Sequence, residues 1–325
     1  MSTDFTSAAP QEPIDAPSQP PSVVHTIFMG PNGIRAGWRL LLFLIFFIAF
    51  GFVINFVLHH IPSFVAWAKT QSGATLNASF QIATEGLSVV GLLFSVWVMS
   101  KIEKRSFADY GLPLSEAFGK RFWQGIPFGF LALSLLLAVI AALHGFSLGG
   151  AELGGTQAVK YGALFGVCFI LVGIFEEFSF RGYMQATLGS GIGFWPAAIL
   201  LSILFGAIHL GNPGEAKIGG LMAGSFGLVA AFSLWRTGNL WFPIGMHAAW
   251  DWGETYFYGV PDSGMIATGR LFNSSSHGPN WLTGGTVGPE GSYLAFPVLV
   301  LICVVVYFAF PAPQRTPAAS SFSAR

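Results

Sequence analysis

The run "WRLLLFLIFFIAFGFVINFVL", from Trp38 to Leu58, carries a single charge, Arg39, at its start. A helix that is apolar all the way round must be buried on every side or face lipid. About 20 such residues cross the hydrocarbon core of a bilayer. The same pattern recurs from Phe80 to Met99, in "FWQGIPFGFLALSLLLAVIAAL" from Phe122, and in "YLAFPVLVLICVVVYFAF" from Tyr293. Between the last two lie "YGALFGVCFILVGIFEEFSFRGYMQATL", "FWPAAILLSILFGAIHL", "IGGLMAGSFGLVAAFSLW" and "LWFPIGMHAAWDW", joined by short Gly- or Pro-containing connections. The chain therefore reads as an all-α polytopic membrane protein with about eight transmembrane helices and no internal repeat.

Composition agrees. Hydrophobic residues make up 53% of the chain and charged residues only 9%, whereas soluble domains carry about a quarter charged. The formal net charge of zero offers no basic face, so a nucleic-acid partner is not expected. Cys168 and Cys303 both lie in apolar runs and read as small core or lipid-facing residues, not as a disulfide. Residues 1–34 are rich in Pro, Ser and Ala and lack the apolar surface to order themselves. They also lack the basic start and apolar core of a cleavable signal. Residues 311–325 read as a second disordered tail, which leaves a membrane domain over 35–310.

With eight spans and the N-terminus inside, the inner segments hold Arg35, Arg39, Lys101, Lys104, Arg105, Lys120, Arg121, Arg181, Arg236, Arg315 and Arg325. The outer segments hold Lys69, Lys160, Lys217 and Arg270. That bias predicts cytoplasmic ends. Trp38, Trp123, Trp195, Trp241 and Tyr293, near span ends, fit interfacial anchoring.

Against this background, three stretches put ionisable groups at bilayer depth, where each costs ~3 kcal/mol or more unless paired or wetted. They are "GIFEEFSFRGYMQ" with Glu176, Glu177 and Arg181, "FGAIH" ending at His209, and "HAAWD" from His247 to Asp251. Glu177 and Arg181 stand four apart, carboxylate first, and share a helix face. Glu176 sits ~100° round the helix, which makes Glu177–Arg181 the structural pair and leaves Glu176 for chemistry. His247 and Asp251 also share a face. A hairpin about the turn "GSGIG" puts Glu176 and His209 ~20–24 Å from the same membrane face, with His247 ~12 Å from it. One glutamate, two histidines and an aspartate are thus expected to converge on a polar intramembrane cavity. Two imidazoles and a carboxylate suit zinc with an open water position, and a carboxylate beside such a water can take its proton. The same residue types could serve a proton relay, so hydrolase and transporter remain open at this point.

"EEFSFRG", "FGAIH" and "HAAWD", in this order, resemble the EExxxR, FxxxH and HxxxN/D signatures of the CPBP family, the CAAX proteases and bacteriocin-processing (Abi) enzymes. The resemblance covers roughly 161–252, with the loop "WLTGGTVGPEGS" that often closes bacterial members. It implies a polytopic membrane endopeptidase. Glu176 would activate water, and His209 would hold that water or a metal. His247 with Asp251 would stabilise the oxyanion or complete the metal site, with Glu177 and Arg181 supporting. Zinc is the expected cofactor, held by His209 and His247 with Glu176 and Asp251 as further candidates; a metal-free glutamate mechanism is the alternative. Asp251 stands where family members also use Asn, and an ionised Asp cannot donate to an oxyanion. It is therefore expected to bind metal or to accept from His247 and orient its ring.

The substrate is expected to be a peptide or membrane protein within the lipid bilayer. In eukaryotic relatives it is a prenylated CAAX peptide. The short loops here suggest a bacterial inner membrane, where a bacteriocin precursor or signalling peptide would fit. The competing readings are a proton-coupled transporter and a non-catalytic immunity or scaffold protein.

Overall fold

The computed structural model describes residues 23–30, 33–71, 75–212 and 216–310. Two compact units divide at Arg35 and Ala36. Within the first, part of the stretch read as an N-terminal tail, helix α1 (Val23–Phe28) leads into a minimal antiparallel pair, Met29–Gly30 with Gly33–Ile34. Residues 1–22 and 311–325, the bulk of the two expected tails, lie outside the described residues.

The second unit is helical. Helices α2 (Ala36–His59), α3 (Pro62–Thr70), α4 (Ala78–Glu103) and α5 (Lys120–Ala142) come first. Next, α6 (Gly155–Glu177) runs without a break through a π-helical segment, Phe178–Met184, into α7 (Gln185–Ile192). After α8 (Phe194–His209), α9 (Lys217–Thr237) and α10 (Trp241–Trp252), a second π-helical segment covers Gly253–Tyr258. The short α11 (Asn280–Thr283) and then α12 (Ala295–Ala309) are the last helices among the described residues.

Among the described residues, five helices are long and apolar enough to cross a membrane: α2, α4, α5, the continuous 155–192 helix, and α9. Helices α8 and α12 are apolar but shorter. Each of the eight windows expected from sequence is a helix, yet the count of spanning helices is five by length. The difference is physical for α10. Every residue from Trp241 to Asp251 is buried, because α10 packs against α5, α6 and α9. A helix sheathed by other helices need not match the lipid thickness. Helix α2 is the opposite case. Only 6% of its most apolar window is buried, and Ile48, Phe52 and Phe56 point outward, the exposure a lipid-facing helix requires.

Close backbone approach builds the centre. A Cβ at Gly125 or Gly129 of α5 would collide with the main chain of α10 at Phe242 and Met246, and one at Gly245 would meet Phe122. Small residues at such seams let helices approach where lipid supplies no hydrophobic drive. The turn expected at "GSGIG" is narrower than its glycines suggest: α7 stays helical through Ile192, and the chain reverses at Gly193, with φ of 90°. On the side where α2, α4 and α7 meet, Arg39 pairs with Glu103 at 2.7 Å and also bonds Ser190, while Tyr183 donates to Glu103 at 2.6 Å.

The 36 residues between the second π segment and α12 form an ordered cap. Thr75–Leu76 pairs with Ile266–Ala267 and Phe146–Ser147 with Ser275–Ser276. These pairings tie the connection back to the loops before α4 and after α5.

Candidate active site

Two of the three motif stretches end in a π-helical segment, a widened turn that recurs at functional sites. Glu176 and Glu177 close the α-helical part of α6, and Arg181 sits inside the π segment that follows. His247 and Asp251 lie on the last turns of α10, directly before Gly253–Tyr258.

The expected ion pair forms. Arg181 Nη1 donates to Glu177 Oε1 at 3.2 Å, and the two side chains are 2% and 0% exposed. Two charges are tolerated at that depth only when they are paired and hydrogen-bonded. The Arg181 guanidinium also covers the Phe205 ring, 4.1 Å from its centroid, and Gly227 of α9 leaves the room that its Nη2 occupies.

Glu177 does more than pair. Its Oε1 lies 2.9 Å from His247 Nδ1. A carboxylate there accepts from an Nδ1–H, which fixes the tautomer and turns Nε2 into the cavity. His209 is arranged the same way, its Nδ1 2.8 Å from the Phe205 carbonyl. Both imidazoles are therefore anchored through Nδ1 and keep Nε2 for the site. The sequence reading gave the task of holding the His247 ring to Asp251, as one of two roles. Instead, Asp251 faces the other nitrogen, with Oδ2 3.5 Å from Nε2, and Glu176 Oε2 lies 3.6 Å from the same atom. Those separations are at or beyond the limit of a direct hydrogen bond and leave space for a bridging atom. Glu176 is more open than Glu177, His247 or Asp251, its side chain 23% exposed. It faces the cavity while its neighbour Glu177 is sealed away, the division expected from their angular offset.

Glu176, His209, His247 and Asp251 all line one cavity of about 200 Å³. Hence α6, α8 and α10 do bring the four together. Their donors, two imidazole Nε2 atoms beside two carboxylates, are of the kind that zinc accepts. Among the described residues, however, the trio of potential ligand atoms lying within 4.8 Å of one another is all-carboxylate: Asp251, Asp262 and Glu290.

Three lining residues escaped the sequence reading. Glu85 of α4 lines the cavity and accepts from Gln81 at 3.3 Å. Asp262 and Glu290 come from the 259–294 cap and also line it. Asp262 is buried, which pushes its carboxyl up to about 6 even though Thr255 donates to it at 2.7 Å. The one signal for Glu290 was its place in "WLTGGTVGPEGS", and nothing in local pattern says where a loop carboxylate will point. Glu254, about one turn past Asp251, is wholly buried and accepts from Trp250 Nε1 at 2.9 Å.

A comparison with family models matches residues 158–253 to "Rce1-like: Type II CAAX prenyl endopeptidase Rce1-like". The matched span starts in α6 and ends at the π segment after α10, so it contains all six motif residues. No curated protein and no solved structure matches the chain.

Proposed function

We propose, from the match of residues 158–253 to the Rce1-like type II CAAX prenyl endopeptidase model, that the chain belongs to that family and hydrolyses a peptide bond inside the membrane with water activated by Glu176. The observation that carries this reading is the pair of Nδ1-anchored imidazoles that line the same cavity of about 200 Å³ as Glu176. A carboxylate that is partly open to a wet cavity, next to Nε2 atoms held in place, is suited to general-base work.

In this reading a water sits between Glu176 and the two Nε2 atoms. Glu176 takes its proton as the oxygen attacks the scissile carbonyl carbon. His247, fixed by Glu177, donates from Nε2 when protonated and stabilises the oxyanion as it forms. Glu176 then returns the proton to the amide nitrogen, which leaves as an amine. Asp251 holds positive charge on the His247 ring as the reaction proceeds. Arg181 keeps Glu177 ionised, and so acts by positioning. His209 and His247, with Glu176 or Asp251, are the residues that would hold zinc, which when bound lowers the pKa of its water and polarises the carbonyl.

The substrate is a peptide or membrane-protein segment that reaches the cavity from the bilayer, and we place both termini on the cytoplasmic side of a bacterial inner membrane. The test compares membrane peptides from cells expressing wild type and Glu176→Ala at equal levels. Expected is an uncleaved precursor that accumulates only with the variant. Identical peptide profiles, with the variant folded and in the membrane, would refute the proposal.

A further inference from the structure

A second hollow, of about 670 Å³, opens between α2, α3 and α4. It is more than three times the size of the active-site cavity and shares no lining residue with it. Phe47, Phe50, Ile54 and Leu58 form its α2 wall, at the three- and four-residue spacing of a single helix face. The two long helices touch at one end, since a Cβ on Gly91 of α4 would stand 2.7 Å from the Phe50 ring. At the other end α3 bridges them: Trp67 packs between Phe64 and Phe80, with ring centroids 5.7 and 5.5 Å away. Helices α2 and α4 therefore make a wedge, pinned at Gly91 and held open by α3.

Depth and polarity say what belongs in it. From Phe47 to His59 the groove follows α2 for ~18 Å, at a rise of ~1.5 Å per residue. Phe47 stands at the middle of α2 and His59 is its last residue. A groove from mid-helix to helix end covers one leaflet, ~15 Å of a hydrocarbon core ~30 Å thick. The two hydroxyls of its α4 wall are spent on their own helix: Thr84 donates to the carbonyls of Phe80 and Gln81, and Ser88 to that of Thr84 at 3.0 Å. Walls of this kind do not hold water, and a void beside them would forfeit their dispersion contacts. The other polar lining residues, Asn55, His59 and Lys69, gather toward the wide end, and no acid lines the groove.

We infer that the groove between α2, α3 and α4 binds one membrane phospholipid, with an acyl chain along Phe47–Leu58 and its phosphate at Lys69 and His59. An ammonium is a point charge suited to phosphate, and Lys69 lies exposed in the last turn of α3. The chain belongs to a resident lipid and not to a lipid tail on a peptide substrate, because α4 separates the two hollows. It turns Thr84, Leu87 and Ser88 to the groove, and Gln81 and Glu85 to the cavity that holds Glu176. The bound lipid would thus steady α4, and with it Gln81 and Glu85, against α6. Its binding does not depend on the peptidase reading.

Photolabelling tests this with the full chain in vesicles of phosphatidylethanolamine and phosphatidylglycerol. The probe is phosphatidylglycerol carrying a diazirine on one acyl chain, and labelled residues are mapped by mass spectrometry. Val300, Val304 and Phe308, exposed on α12, serve as the reference for bulk lipid. Label on the groove residues of α2 and α4 is expected at least fivefold above that reference. Nothing lies within 4 Å of a Cβ built on Gly51, which lines the groove, so Gly51→Trp puts an indole into the space. It should cut groove label at least fivefold and leave the α12 label unchanged. Lys69→Glu should weaken groove label at least threefold, and its exposed position keeps the test open if Gly51→Trp does not fold. Equal labelling of groove and α12, which marks ordinary boundary lipid, would overturn the inference. So would undiminished groove label in a folded Gly51→Trp or Lys69→Glu variant. Displacement of the label by a prenylated peptide would do the same, since the occupant would then be a substrate's tail.

Discussion

Gly129 tests whether helix packing sets the geometry of the site. A Cβ built on it would stand 2.9 Å from the Met246 carbonyl carbon and 3.0 Å from the Trp250 amide nitrogen, and nearer still to the Met246 oxygen. Non-bonded carbons settle at about 3.5–4.0 Å, so Gly129→Ala must push α10 from α5 by on the order of 1 Å. The obstacle is main chain on both sides, so no rotamer change relieves it. Met246 and Trp250 flank His247 and Asp251, and the displacement therefore passes directly to them. Overpacking of this kind costs about 1–3 kcal/mol, while a 1 Å misplacement of catalytic groups can cost about 10²-fold in rate. The expected signature is a modest fall in unfolding temperature with a far larger fall in cleavage of the accumulated precursor. Gly51→Ala, on a helix of the same kind with nothing within 4 Å of the added carbon, should match wild type in both assays. If Gly129→Ala behaves like Gly51→Ala, the idea that the α5–α10 seam sets the site geometry is wrong.

Glu177→Gln removes the charge that compensates a guanidinium only 2% exposed. Breaking a buried pair typically costs about 3–5 kcal/mol. Thermal unfolding should show a loss in that range or just below it, and Glu177→Gln combined with Arg181→Met should regain stability without regaining activity, because His247 still lacks its anionic partner. Asp251→Asn leaves the Glu177 bond to His247 intact, so the fold should persist. Bound metal and cleavage should fall together; a variant that keeps full activity and full metal content would remove Asp251 from the proposed site.

The positions of the helices were legible because apolar runs leave few alternatives in a chain with 9% charge. The motif residues were legible for the same reason: a charge inside such a run needs a partner or a cavity, and helical spacing identifies Arg181 as the partner of Glu177. What spacing within one helix could not reveal is a contact between helices. The bond from Glu177 to His247 joins residues 70 positions apart, and it moved the task of holding the imidazole from Asp251 to Glu177.

The cap lay further out of reach. Asp262 and Glu290 belong to irregular backbone, where no periodicity assigns a side chain to a face. Their meeting with Asp251 depends on two short strand pairings and on where the 253–258 π segment releases the chain. Sequence alone determined that this chain must be helical within lipid and must shelter a few charges there, since the transfer cost of an unpaired charge admits little else. Only the tertiary structure decided which acids share one cavity, because that follows from main-chain contacts at glycine seams and from a loop path that no local propensity encodes.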